Sequence, residues 1–164
     1  MLVLAPVLLA ILGVALVGAY LRNRVASDPD EWHVDPLTAP APSTPNWYRL
    51  IPADAVVERH PRRDGHPPVY DVTAKRLATA FDREAMSEGR VEVLAGKAAD
   101  GFVTYVQRSY VFGFPDYVSV RFIDLDDGGS TIAIFSRSRF GRSDLGVNEK
   151  RVARWVDVTT KRLL

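Results

Sequence analysis

Cysteine is missing from all 164 residues of this chain. Its absence excludes disulfide bonds, thiolate metal sites, a cysteine nucleophile and a lipid anchor attached to cysteine. A charge excess is missing too, since the formal net charge is +1 and strong nucleic-acid binders carry a clear basic excess. We therefore expect no nucleic-acid partner, and the length predicts a single domain.

Catalytic and metal-binding patterns are also lacking. The histidines, His33, His60 and His66, fall in a proline-rich stretch, and their spacing matches no helical metal-binding pair. They are expected to be exposed loop residues; a metal shared by two of them with an aspartate is the alternative. The pair Asp126-Asp127 precedes Gly128-Gly129, as in a turn, and no nucleophile elbow or phosphate loop occurs. The sequence therefore predicts no catalytic residue, no metal and no cofactor.

Charge is absent from the first part of the chain. Leu2 to Leu21 has no charged residue, and a helix of this length reaches about 30 Å, the thickness of the hydrocarbon core of a bilayer. We expect residues 1–22 to form a single-pass transmembrane anchor in the cell membrane. A cleaved signal peptide is the alternative, with Val17-Gly18-Ala19 as its cleavage site. Arg22 and Arg24 favour a cytoplasmic position for the following domain.

Residues 23–68 are rich in proline, alanine, aspartate and threonine. This composition predicts an extended spacer with little regular structure. Trp32, Trp47 and Tyr48 are unusual in a free linker, so we expect parts of the spacer to pack on the domain.

Residues 69–164 show the pattern of a small α+β domain. Thr73 can cap a helix that runs to about Glu88, and a final helix should start near Ser143 or Asp144. Both helices have an apolar stripe, so we expect them to pack on one face of a small antiparallel sheet. The runs of β type between them are Arg90–Leu94, Phe102–Val111, Tyr117–Leu125 and Ser130–Phe140.

The register of the last hairpin follows from its turn, Asp126-Asp127-Gly128-Gly129. A loop of two or four residues places Val120 on the same sheet face as Phe135, Arg137 and Arg139. That apolar face is the one expected beneath the helices, with the two arginines at its end.

The candidate site is the corner where the last strand turns into the final helix. Arginine forks bind carboxylate or phosphate, and the free N–H groups of a helix start attract anions. The structural alternative is that Asp144 caps these N–H groups while the arginines pair with neighbouring carboxylates. The candidate ligand-binding residues are Arg137, Arg139, Arg142, Asp144, Asn148 and Arg151.

The same residues resemble a known family. Phe114-Pro115-Asp116-Tyr117, the string from Ser136 to Asn148 (SRSRFGRSDLGVN) and Arg151-Val152 closely resemble the domain of unknown function family 1499, and Pro45-Asn46 is similar to its N-terminal Pro-Asn pattern. The cysteine that many members carry beside that pair is absent. The resemblance covers about Pro45 to Leu164. It implies bacterial proteins, often with a membrane segment, and plastid relatives of the thylakoid lumen, which favours a periplasmic domain and leaves the side of the membrane open.

These observations predict a membrane-tethered accessory or binding domain without enzymatic activity. Its partner would be an anionic ligand or lipid headgroup at the arginine corner, or a membrane protein. The alternative is a structural subunit of a membrane protein complex that has no small-molecule ligand.

Overall fold

A mixed sheet flanked by helices forms the body of the protein, so the expected α+β class is confirmed. The computed structural model describes residues 4–24, 26–110 and 112–164. The helices are α1 (Leu4–Arg24), α2 (Pro29–Trp32), α3 (Ala74–Ser87) and α4 (Val147–Leu163). The strands are β1 (Trp47–Leu50), β2 (Asp64–Gly65), β3 (Val69–Tyr70), β4 (Val91–Lys97), β5 (Phe102–Arg108), β6 (Pro115–Asp124) and β7 (Ser130–Ser138).

The strand order is β2-β1-β7-β6-β5-β4, and β3 pairs with the remaining part of β7. All of these pairs are antiparallel except β1 with β2. Strands β1 and β2 come from the predicted spacer, which therefore has more regular structure than its composition predicts. Trp47 explains the difference, since it is buried against Phe135 of β7, and burial of a large aromatic ring stabilises the pairing of β1.

Helix α3 begins as its sequence predicts. The Oγ1 of Thr73 accepts a hydrogen bond from the N–H of Arg76, which satisfies one donor of the first turn. The residues Leu77, Phe81 and Ala85 recur at four-residue spacing and are fully buried against the sheet.

Helix α4 starts later than predicted, at Val147. Leu145 and Gly146 adopt left-handed conformations, with φ of 52° and 78°, so the helix cannot begin before them. The carboxylate of Asp144 nevertheless accepts hydrogen bonds from the N–H groups of Gly146 and Asn148. Asp144 thus satisfies donors at the helix start from just outside the helix.

The register of the β6–β7 hairpin corrects the sequence prediction. Asp124 lies opposite Ser130, so five residues form the connection, and Val120 pairs with Ile134 rather than with a residue on the face of Phe135. An odd connection reverses the side-chain parity that a loop of two or four residues would produce. The face beneath α3 and α4 therefore carries Ile132 and Ile134, while Phe135, Arg137 and Arg139 do not lie on it.

A chain segment without helices of its own, apart from the single turn α2, crosses the opposite face of the sheet. This segment, residues 26–41, is called the strap below. The indole of Trp32 stacks on Tyr117 with 4.0 Å between ring centroids, and His33 stacks on Phe102 at the same distance. Asp35 forms an ion pair with Arg121 of 2.6 Å. The spacer thus packs on the domain, as its aromatic residues indicate.

Helix α1 precedes the strap. Among the described residues, no helix combines the length and the apolarity required to cross a membrane. The transmembrane helix expected over residues 1–22 is therefore not found, and the first three of those residues lie outside the described part. Val111, the predicted end of the second β run, lies outside it as well.

Candidate functional site

The six predicted site residues separate into three groups in the structure. Asn148 and Arg151 lie on the helix-covered face of the sheet, next to the cap residue Asp144. Arg137 and Arg139 lie on the other face and contact the strap. Arg142 is exposed in the loop before α4. A single arginine corner does not form, because the hairpin register places both Arg137 and Arg139 on the face opposite α4.

A polar network connects α4 with the end of β7. The side chain of Asn148 is fully buried, and its Nδ2 donates to the backbone oxygen of Asn46 and to the Oγ of Ser138, at 3.0 and 2.9 Å. Its Oδ1 accepts from Ser136 at 2.6 Å and from Arg151 at 2.8 Å. The side-chain amide of Asn148 therefore forms hydrogen bonds with three separate chain segments, and these bonds align α4 with the edge of the sheet.

Asn46 extends this network to the loop after β7. Its Nδ2 donates to the backbone oxygens of Ser138 and Gly141, at 3.1 and 2.8 Å. Its Oδ1 accepts from Thr44 at 2.7 Å. The Pro-Asn pair and the SRSR string, distant in sequence, thus meet at one place.

Arg151 lies at the bottom of the neighbouring cleft. Its guanidinium donates to Gln107 and to the Oδ2 of Asp116, both at 2.6 Å, and only 4% of the residue is exposed. A buried arginine that has a carboxylate partner and further acceptors is held in one orientation.

The cleft has a volume of about 590 Å³ and lies between the end of α3, the start of α4 and the adjoining ends of β4, β5 and β6. Its walls contain four arginines and two carboxylates, which is a net charge of +2. The charged residues are Arg90, Arg108, Arg151 and Arg154 with Glu88 and Asp116. A concave, positively charged site with fixed guanidinium groups is suited to a carboxylate or a phosphate.

Two of these arginines make short ion pairs with carboxylates, and the other two do not. Arg154 pairs with both oxygens of Glu88, at 2.7 and 2.8 Å, whereas Arg151 donates to one oxygen of Asp116. Burial alone would raise the pKa of Glu88, but hydrogen bonds from Arg154 and Gln107 outweigh it and keep that pKa below its usual value. Glu88 is therefore ionised at neutral pH.

The other two arginines make longer contacts: Nη1 of Arg90 donates to the backbone oxygen of Ser109, and Nη1 of Arg108 to that of Gly113, both at 3.4 Å. Arg90 has no carboxylate partner among the described residues, and its guanidinium lies over the ring of Tyr110, 3.1 Å from the centroid. Arg108 is 3.5 Å from Glu92, which is itself largely exposed. Sequence reasoning missed both, because Arg90 directly precedes β4 and Arg108 ends β5, far in sequence from α4, and no local pattern connects them.

The motifs in this network decide the family. A family model described as a protein of unknown function, DUF1499, matches residues 34–158, which is more than half of the chain. The chain belongs to the DUF1499 family. No curated protein and no solved structure matches it.

The strap lies partly outside the DUF1499 match, which begins at residue 34. Arg137 is buried beneath it and donates from Nη2 to the backbone oxygen of Trp32, at 2.8 Å, and to Ser119, at 3.2 Å. The rings of Trp32 and Phe135 lie 5.3 and 4.7 Å from its guanidinium carbon. Burial lowers the pKa of Arg137 to about 10. It remains charged at neutral pH, although no carboxylate among the described residues pairs with it.

Arg139 holds the first residues of the strap. Its Nη1 donates to the backbone oxygen of Ala26 at 2.7 Å, and Tyr117, 3.5 Å away, donates in turn to Ser27. In this DUF1499 member, Arg137 and Arg139 therefore fasten the strap and do not line the cleft.

The histidines of this DUF1499 chain also differ from the expectation of exposed loop residues. His33 is half-buried, and a hydrogen bond of 2.8 Å joins its Nδ1 to Thr104. His60 packs edge-on against Trp47, and only His66 is exposed. Within residues 4–24, 26–110 and 112–164, no group of three histidine, aspartate or glutamate side chains is placed to hold a metal ion.

Proposed function

We propose that the protein is a membrane-tethered binding domain that holds an anionic group, carboxylate or phosphate, in the cleft above Arg151. The observation that carries this proposal is the presence of two arginines without firm carboxylate partners, Arg90 and Arg108, opposite a third that is buried and fixed. An anion there would gain charge-assisted hydrogen bonds in a partly desolvated site, where such bonds are strongest.

Membrane attachment is supported by the first segment of the chain. Residues 2–21 have no charge, and the large aliphatic side chains of α1 between Val7 and Val17 are 41 to 68% exposed. A helix that is apolar on all sides is stable only when another apolar phase covers it. We therefore propose that this segment is anchored in lipid.

The alternative function is a structural subunit of a membrane complex with no small-molecule ligand. It is favoured by the network around Asn148, in which the side chains of Ser136, Asp144 and Arg151 satisfy one another without a ligand. Arg90 and Arg108 are not part of this network. They bind the anion in the first candidate function and have no ligand in the second.

The deciding experiment is a titration of the full chain in detergent micelles with inorganic phosphate and, separately, with succinate, followed by calorimetry. We expect one of the two anions to bind, and the double substitution Arg90→Gln with Arg108→Gln to weaken that binding about tenfold or more, equivalent to about 1.4 kcal/mol.

The matched control replaces two arginines on the exposed side of α3, Arg76→Gln with Arg83→Gln. It removes the same total charge and should leave binding unchanged. Equal weakening in both double variants would mean that the anion responds only to net charge, and the cleft would not be a site. Absence of binding for both anions would favour the structural subunit.

A further inference from the structure

We infer that one end of the domain lies against the headgroup region of a lipid bilayer. This surface, the aromatic end, consists of Tyr110, Phe112 and Phe114 in the loop between β5 and β6, together with Phe140 after β7. The inference rests on the membrane attachment proposed above and adds an orientation for the domain.

The aromatic end contains a cluster of three phenylalanine rings, and Tyr110, whose ring contacts Arg90, lies in the same loop. Phe114 lies between Phe112 and Phe140, with centroid distances of 5.4 and 5.0 Å. Phe112 and Phe140 are 42 and 40% exposed, and Tyr110 is 86% exposed. Adjacent exposed aromatic rings are costly in water and mark a surface that contacts another phase or molecule.

Hydrogen bonds join the two sides of the loop that carries these rings, at Ser109 and at Gly113 and Phe114. The N–H of Ser109 donates to the backbone oxygen of Phe114, and its Oγ accepts from the N–H of Phe114, at 2.9 and 3.0 Å. The backbone of Gly113 donates back to Ser109 at 3.2 Å. These bonds restrain Phe114, which reduces the ordering cost when its ring meets a partner.

The position of the tether identifies that partner as lipid. Arg139 contacts Phe140 with its guanidinium carbon 5.7 Å from the ring centroid, and the same side chain holds the backbone oxygen of Ala26. Helix α1 ends at Arg24, two residues earlier, and two residues of chain reach at most about 8 Å. The apolar helix therefore leaves the domain beside the aromatic end and keeps that end close to any bilayer that holds the helix.

The chemistry of the aromatic end fits a headgroup region. Aromatic side chains favour the boundary between hydrocarbon and water, and neighbouring arginines attract anionic lipid. Arg142 is exposed in the loop that follows Phe140, and Tyr110 also borders the cleft. The cleft thus opens at the level where lipid phosphates lie.

The chain has no cysteine, so a single introduced cysteine can be labelled without background. We would prepare Phe112→Cys and Phe140→Cys in the full chain, attach an environment-sensitive fluorophore, and reconstitute each protein into vesicles of phosphatidylcholine with phosphatidylglycerol. We expect the emission of both labels to shift to shorter wavelength, and a quencher carried on the lipid chains to reduce it.

Asp126→Cys is the matched control, since Asp126 is exposed in the turn at the other end of β6. A strand of this length separates it from the aromatic end by about 30 Å, so its label should stay in water. One outcome is that the protein floats with the vesicles while the emission of the labels at 112 and 140 matches that of the label at 126. In that case the proposed orientation is wrong, although the membrane attachment holds. If the protein does not float with the vesicles, the tether and this inference both fail. Phosphate binding in micelles is independent of either result.

Discussion

The two faces of the sheet each bury an arginine near the end of β7, and they do so in opposite ways. On the helix face, Arg151 pairs with Asp116 and donates to uncharged acceptors on β5, β7 and α4. On the strap face, Arg137 has carbonyl and hydroxyl acceptors and two aromatic rings, but no carboxylate among the described residues.

This difference distinguishes Arg151, which lines the cleft, from Arg137, which holds the strap. A guanidinium with a fixed carboxylate partner on one side can present its remaining surface to a ligand in a defined orientation. The guanidinium of Arg137 is covered by a backbone oxygen and aromatic rings, and Arg137 does not line the cleft, whereas Arg151 does. The proposed binding role therefore falls to Arg151 and not to Arg137.

The largest expected effect concerns a third buried arginine, on the strap face. Arg49 is fully buried and pairs with Asp64 at 2.9 Å, while Nη1 also donates to the strap at Ala39. Asp64→Ala leaves this charge uncompensated, so we expect the free energy of unfolding to fall by about 3–5 kcal/mol, measured by urea denaturation. Asp54→Ala, at an exposed site, is the control. A loss below 1 kcal/mol would show that an arginine buried on the strap face does not depend on a carboxylate partner for its contribution to stability.

The next effect concerns Arg151 itself. Arg151→Met keeps the aliphatic length but leaves Asp116 and the Oδ1 of Asn148 with fewer donors, so we expect a loss of about 2–3 kcal/mol in the free energy of unfolding. Restoring the charge as Arg151→Lys should recover only part of this, because one ammonium cannot reach all four acceptors. Full recovery by lysine would contradict the fixed geometry described above.

Arg137→Met should have a smaller effect than Arg151→Met, about 1 kcal/mol or less, in the same denaturation assay. The substitution relieves the desolvation of an unpaired charge, and Trp32 still accepts a hydrogen bond from Ser119. A loss as large as that of Arg151→Met would mean that the strap depends on the charge of Arg137, and the contrast between the faces would disappear.

The smallest effect is a pH dependence of the strap. Burial, followed by the charge of Arg121, lowers the pKa of His33 from 6.5. The unfolded chain therefore binds the proton more readily than the folded one, so His33 contributes stability that is complete above pH 6.5 and is lost as the pH falls below it. We expect the fluorescence of Trp32 to report loosening of the strap at acid pH, and His33→Gln to remove this dependence. His66→Gln should leave it unchanged, and equal effects of both variants would exclude His33 as the origin.

Local patterns predicted much of the fold. Thr73 and the apolar rows of α3 specify their helix through short-range rules, and the strand runs are recovered within a few residues. The start of α4 was misplaced because Leu145 adopts a left-handed conformation that non-glycine residues rarely take, and no pattern announces it.

The candidate site was predicted only in part, and one residue of loop length explains why. The five-residue connection between Asp124 and Ser130 reverses the parity of β7, which moves Arg137 and Arg139 to the strap face. Arg90 and Arg108 reach the cleft through pairing of β4 with β5, a long-range contact that sequence periodicity does not encode. The strap face itself was anticipated only through the aromatic residues of the spacer.

The strap also determines how the domain would respond to mechanical force. A pull on α1 enters the domain at Ala26 and Ser27, where single hydrogen bonds join the chain to Arg139 and Tyr117. The force would act on these contacts, and then on the stacked rings of Trp32 and His33, one at a time. The strap would therefore detach from the sheet at low force. The sheet pairs β6 with β7 along their whole length and would share the same load over many hydrogen bonds at once. With the membrane attachment proposed above, the strap would therefore release first and lengthen the connection between α1 and the sheet before the sheet itself is strained.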